Sequence, residues 1–178
     1  MSSSRHTRER GLPAGQAGFT LLLAALTASI VLALGSAIFS IAQKQLTLSA
    51  IGRDSQFAFY AADTAVECVL FWDFRYNFFS TSTPVGVTPT CDQAAVLPFV
   101  GNPSPPFNYP YTLTSQQMDL FSDAKPPSDY CAQVTVTKSL DPVTQAVRTV
   151  VHADGYSTSC ATITTNSRAL QRSVELHY

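Results

Sequence analysis

Histidine is scarce in this chain: there are three in 178 residues. His6 stands near the start, His152 inside a β-rich run and His177 next to the end, so no two have the spacing of a metal or triad pair. No glycine-rich phosphate loop occurs, and the cysteines never fall as C-x-x-C, which leaves redox and zinc motifs without a basis. Basic runs are missing beyond the first ten residues and the formal charge is −1. Binding to a phosphate backbone needs clustered Lys and Arg, so no nucleic-acid partner is expected. Asp141-Pro142-Val143-Thr144 and Asp154-Gly155 lie among too few carboxylates to supply the six or more oxygens of a calcium loop and read as β-turns. Asn102-Pro103-Ser104 fails as a glycosylation acceptor because proline holds the middle position. The expectation is a non-enzymatic chain with no cofactor and no metal.

Two further absences organise the chain. No charged residue occurs from Gly11 to Gln43, and no proline from Phe19 to Thr83. Residues 19–42 alone supply 24 uncharged positions, against the roughly 20 that a helix needs to cross a ~30 Å hydrocarbon core. Gly35-Ser36 and Gly52 are the only flexible points this stretch offers. Ahead of it stand Arg5, Arg8 and Arg10 against one acid, Glu9; behind it Lys44 and Arg53 are offset by Asp54. The positive-inside rule keeps the leader in the cytoplasm and sends everything after Lys44 outside. The expected localisation is therefore single-pass in the cytoplasmic (inner) membrane, in contact with lipid.

From Ile51 onward Ala58, Ala61, Ala62, Ala65, Val69 and Trp72 recur at intervals of three and four, the period of a helix with one covered face. The spacing predicts that the helix continues to about Asp73, giving a rod about 80 Å long. Residues 74–128 hold nine of the eleven prolines, with Pro103-Ser104-Pro105-Pro106 and Pro126-Pro127 as breakers. They also carry Phe78, Phe79, Phe99, Phe107, Tyr109, Tyr111 and Phe121, more aromatic surface than disordered segments usually have. An ordered, irregular loop region follows, with a short strand near Tyr111 to Leu113 and a turn of helix near Gln116 to Phe121. After Asp129 the period becomes two. Residues 132–138 and 146–156 form a hairpin about Asp141-Pro142, Gly155 and Asn166 bracket a Ser/Thr-rich loop, and Ala169 to Tyr178 is a final strand. The chain thus divides into a basic leader (1–18), a transmembrane half-helix (19–42), an amphipathic exported half-helix (43–73), a Pro- and aromatic-rich loop region (74–128) and an antiparallel sheet (129–178). This is an α+β fold in which a long N-terminal helix packs on a C-terminal antiparallel β-sheet.

All four cysteines, Cys68, Cys91, Cys131 and Cys160, fall in the exported part, where disulfides persist. Two bridges are expected, in any of three connectivities. Cys68–Cys91 with Cys131–Cys160 is favoured because each would tie neighbouring elements together.

Gly18-Phe19-Thr20-Leu21-Leu22-Leu23 joins the leader to the apolar run. Its glycine precedes the apolar segment, whereas an ordinary secretory signal is cut on the far side. The order basic leader, glycine, Phe-Thr-Leu, long apolar helix resembles the type IV pilin and type II secretion pseudopilin family. That resemblance implies cleavage after Gly18 by a prepilin peptidase and N-methylation of the new terminal Phe19. It also implies a lollipop-shaped subunit that assembles with other pilin or pseudopilin subunits through the N-terminal helix, in a pilus (fimbrium) or a secretion pseudopilus. Members typically carry a glutamate four residues after the mature Phe, thought to neutralise a neighbour's N-terminal amine; here that position is Leu23. An unpaired buried amine costs several kcal/mol, so a subunit lacking the acid should join poorly beneath others yet sit well at the top of the column. Minor pseudopilins at fibre tips share the departure, so Leu23 implies a minor, tip or priming subunit. The rival expectation is a membrane-tethered exported binding or adhesion module that never enters a fibre. Leader removal at Gly18 separates the two.

Overall fold

A computed structural model of the chain describes residues 14–81, 88–92, 94–101, 103–120 and 130–178, with side chains from residue 18 onward. Helix α1 covers Ala14–Tyr76. It therefore begins four residues before Gly18, with no break at that glycine, and ends three residues beyond the expected Asp73. The later end has a local cause. Asn77 adopts the left-handed region (φ 48°) and donates its N–H to the Asp73 carbonyl at 2.9 Å, while Phe78 N–H reaches Trp72 O at 3.2 Å. Asparagine tolerates that conformation and so caps the last turn. The chain forms two compact units, Met1–Ser49 and Ala50–Tyr178, with the boundary inside α1.

Among the described residues seven strands follow: β1 (Thr90–Cys91), β2 (Ala94–Ala95), β3 (Tyr111–Thr114), β4 (Met118–Leu120), β5 (Tyr130–Leu140), β6 (Val147–Tyr156) and β7 (Gln171–His177). β1 and β2 make a small antiparallel pair, and the other five form one antiparallel sheet in the order β3-β5-β6-β7, with β4 also on β5. The segment expected as a turn of helix near Gln116 is strand β4 instead. Met118 and Leu120 point inward about a half-buried Asp119 and pair with Ala132 and Tyr130, so cross-strand burial prevails over local helical preference. Phe121 lies outside the described residues. Between β3 and β4 the edge is interrupted at buried Ser115, which repairs the ladder itself. Its N–H bonds Val134 O at 2.8 Å, and its Oγ accepts from Val134 N at 3.0 Å.

Within the second unit the core lies between α1 and the sheet. Ala58, Ala61, Ala62, Ala65, Val66 and Val69 are buried on the helix, and Val134, Val136, Val151 and Ala153 on the strands. Phe78, Phe79, Phe99 and Phe107 close it from the proline-rich region. The predicted hairpin is present as β5 and β6, in register from Cys131↔Tyr156 to Leu140↔Val147.

Gly155 is not the turn residue its dipeptide with Asp154 implied: it sits inside β6, paired with Ala132 and Arg172. Its φ lies outside the left-handed region, and the reason for glycine is space. A Cβ there would stand 2.1 Å from the Ala58 carbonyl oxygen and 2.5 Å from the Ala62 nitrogen. Small residues on both surfaces let helix and strand backbones approach each other directly.

One buried ion pair pins the last turn of α1. Lys138 Nζ on β5 reaches both Asp73 oxygens, at 2.9 and 2.6 Å, and the Tyr178 hydroxyl donates to the same carboxylate at 2.6 Å. Burial and then the Asp73 hydrogen bond push the Tyr178 phenol well above its usual range.

Candidate functional site

The two units differ in how α1 is covered. Every residue from 18 to 53 is exposed, including fifteen large apolar side chains from Phe19 to Ile51. Each is worth about 1.5–3 kcal/mol when removed from water, so leaving the stretch in water is costly. The helix from Gly18 is long and apolar enough to cross a membrane. Its hydroxyls suit that environment: Thr27 donates to Ala24 O, Ser29 to Leu26 O, Ser36 to Ala33 O and Thr47 to Gln43 O, at 2.8–3.1 Å. Returning these donors to helix carbonyls leaves them satisfied in hydrocarbon, where no water can serve.

Gly18 and Phe19 sit in consecutive helical positions, and Phe19 is exposed. A Cβ built on Gly18 meets nothing within 4 Å. Glycine inside a helix costs ~1 kcal/mol relative to alanine, and no contact among the described residues requires it there. Leu23 is likewise exposed on the helix surface.

The cysteines form two bridges, Cys68–Cys91 and Cys131–Cys160, the pairs favoured from their positions. The first ties α1 to β1, and the second ties β5 to the short 3-10 turn Cys160–Thr162. Asp119 accepts from Cys160 N–H at 2.7 Å. It thus stands beside both sulfurs, but thiols consumed in a disulfide are not metal ligands, and the group reads as a structural staple.

Asp141 is confirmed as a turn former. Its Oδ1 accepts from the Val143 and Thr144 backbone N–H groups at 2.9 Å, and Arg148 approaches its other oxygen at 2.5 Å. The Thr144 and Val143 hydrogen bonds, with Arg148 nearby, hold its pKa at about 2.

Strand pairing brings two of the histidines to one carboxylate. His152 on β6 lies opposite Glu175 on β7, while His177 lies opposite Val150, on the sheet face turned away from α1. His152 Nδ1 is 3.2 Å from Glu175 Oε2 and its Nε2 is 3.3 Å from Asp154 Oδ1; His177 Nε2 is 2.8 Å from Glu175 Oε1. Hydrogen bonds from His177 and His152 hold the Glu175 carboxyl below its ordinary range. Asp154 is also lowered: burial opposes this, but bonds from Ser173 and Gln171 outweigh it. The two-residue spacing puts His152 with Asp154, and Glu175 with His177, on one face of their strands, and antiparallel register then brings the two pairs together.

No family model, curated protein or solved structure matches this chain.

Proposed function

We propose that this chain is a minor type IV pilin-like or pseudopilin subunit, non-enzymatic, that heads or primes a pilus or a secretion pseudopilus. The observation carrying this reading is the uncovered apolar stretch of α1 from Phe19 to Ile51, continuous in one helix with the covered, sheet-bearing stretch from Ala58. Before assembly the apolar stretch lies in the cytoplasmic membrane with the leader inside and the sheet domain exported. After cleavage between Gly18 and Phe19 by a prepilin peptidase it packs among the helices of other subunits. Gly18 supports this reading because no contact among the described residues needs a glycine there, which fits a requirement set by an external reader, the peptidase. N-methylated Phe19 becomes the mature terminus. Leu23 offers no carboxylate to a neighbour's terminal amine, which favours the top of a column over its body.

The test is intact-mass analysis of the chain from membranes containing a prepilin peptidase. The expected species begins at Phe19 and carries one added methyl group, and Gly18→Val leaves the leader in place. A retained leader on the wild type assigns the chain to the tethered binding modules instead, and a cut beyond Ala42 would overturn the membrane anchor as well.

A further inference from the structure

We propose that the outer edge of β7 is a docking site for an extended segment of another polypeptide, which joins the sheet there as a further strand. β7 ends the sheet and pairs with β6 alone. The phase of that pairing is fixed at both ends. Thr149 and Tyr178 exchange both backbone bonds, at 2.8 and 3.0 Å, and Ser157 N–H reaches Leu170 O at 3.0 Å. In an antiparallel ladder such pairs alternate with pairs that exchange none. Arg172, Val174 and Leu176 therefore turn their backbone groups toward β6, opposite Gly155, Ala153 and Val151, while Gln171, Ser173, Glu175 and His177 turn theirs outward. Among the described residues none of these four N–H and four C=O groups has a hydrogen-bond partner, and every residue of β7 except Val174 is exposed.

The two edges of the sheet differ. The β3 edge is closed by the proline-rich region, where Val100 N–H donates to Thr114 O at 2.7 Å and Phe99 bridges Ser115. β7 lacks such cover, and it lacks the proline, lysine or bulge that keeps other edges apart. Its sequence contains no Pro, Gly or Lys, and its register runs unbroken from Val150↔His177 to Tyr156↔Gln171. Its charges are tied back to the chain. Arg172 donates to Ser55 Oγ at 2.7 Å, and the two Glu175 oxygens are taken by His152 and His177.

The chemistry of the edge names the occupant. Outward N–H and C=O groups recur at every second residue, about 6.8 Å apart. Another extended main chain presents the matching series, whereas a helix has spent its own groups internally and an anion accepts without donating. Flanking side chains set the pattern the segment needs. On the α1 side stand Leu176 and Tyr178, with exposed Phe74 against the Tyr178 ring, centroids 5.0 Å apart; these favour apolar residues at alternate positions. On the other side Ser173, Glu175 and His177 favour polar ones. The site stands whether or not the chain enters a fibre.

The test is residue-resolved amide hydrogen exchange on the full chain in detergent. In the chain alone Arg172, Val174 and Leu176 should be protected, while Ser173, Glu175 and His177 exchange readily. The probe is a terminally blocked peptide, Lys-Thr-Val-Thr-Val-Thr-Val-Lys, added at up to millimolar concentration. It should slow the three outward amides about tenfold, saturably, and leave the inward three unchanged. Pairing with valines toward α1 places the threonine N–H groups on β7, so the same peptide with proline in place of each threonine should give no protection. Glu175→Pro removes one outward N–H and no β6–β7 bond; circular dichroism should report an intact fold, while peptide binding weakens about tenfold. Val174→Pro, whose N–H points inward, should instead lower the unfolding midpoint. Outward amides already protected in the chain alone, no protection by the peptide, equal protection by its proline form, or binding unchanged by Glu175→Pro would each overturn the assignment.

Discussion

Replacing Gly155 with alanine tests the seam between α1 and the sheet most directly, because competing considerations predict opposite signs. Gly155 has no left-handed φ to preserve. Judged from the strand alone, alanine should stabilise by about 0.4–1 kcal/mol by reducing the freedom of the unfolded chain. The structure predicts the reverse. The added carbon would lie 2.1 Å from Ala58 O, roughly 1.4 Å inside an ordinary contact of about 3.5 Å. The obstructing atoms are helix backbone and cannot rotate away. Either the helix retreats and loosens the packing of Ala58, Ala62 and Ala65, or the strand bends. Overpacked cores typically lose 1–3 kcal/mol, and a backbone obstruction belongs at the upper end. At about 2–4 °C per kcal/mol for a chain of this size, the unfolding midpoint should fall by roughly 6–12 °C, read by circular dichroism of the detergent-solubilised protein. A second substitution sharpens the test. Ala62→Gly removes only the Cβ at 3.0 Å and leaves Ala58 O and Ala62 N in place, so it should not rescue Gly155→Ala. A midpoint equal to or above the wild type, or full rescue by Ala62→Gly, would refute direct backbone contact at this strand.

The buried pair gives a second prediction. Lys138→Met leaves the Asp73 carboxylate buried without its cation and should cost about 3–5 kcal/mol, whereas Asp73→Leu with Lys138→Met should recover most of the loss; equal losses in the same unfolding assay would contradict it. Asp141 gives a third. Its pKa is depressed from 3.8 to about 2, so the stability it contributes is present above about pH 4 and is lost as pH falls toward 2. A carboxyl NMR titration should therefore place its midpoint near pH 2, and a midpoint near 3.8 would remove the turn hydrogen bonds as its cause. The fourth rests on the tip assignment: Leu23→Glu should raise the number of copies in sheared, purified fibres. Wild-type abundance equal to that of the major subunit, unchanged on substitution, would defeat the minor-subunit reading.

Features written in short periods along the chain were legible in the sequence. Ala58, Ala61, Ala62, Ala65 and Val69 mark the covered face at helical spacing, all are buried, and the β5–β6 hairpin announces itself by alternation. Lys138 and Gly155 carried a signal that residue chemistry obscured. Lys138 continues the inward series of Val134 and Val136, and Gly155 continues that of Val151 and Ala153. Lysine suggests solvent and Asp-Gly suggests a turn, but the alternation places both inside. β4 is three residues long, too short for periodicity to separate strand from helical turn, and its existence depends on β5. The His152–Glu175–His177 cluster depends on the pairing of β6 with β7, which no local pattern encodes. At the N-terminus the apolar run was plain, whereas the leader charges Arg5, Glu9 and Arg10 lie outside the described residues.

The buried bonds around Asp73 also set an order in time. Its partners Lys138 and Tyr178 follow it by 65 and 105 residues, and Ser55 waits 117 residues for Arg172. A chain synthesised from its N-terminus presents the alanine face of α1 long before β6 exists to cover it. Contacts this distant make closure slow, since the loop must be gathered before any of them forms. Cys68 and Cys91 emerge together and can be oxidised while the sheet is incomplete, whereas Cys131–Cys160 must await β5 and the turn after β6. Completion of the second unit is therefore a late event, reached only when its last strand arrives.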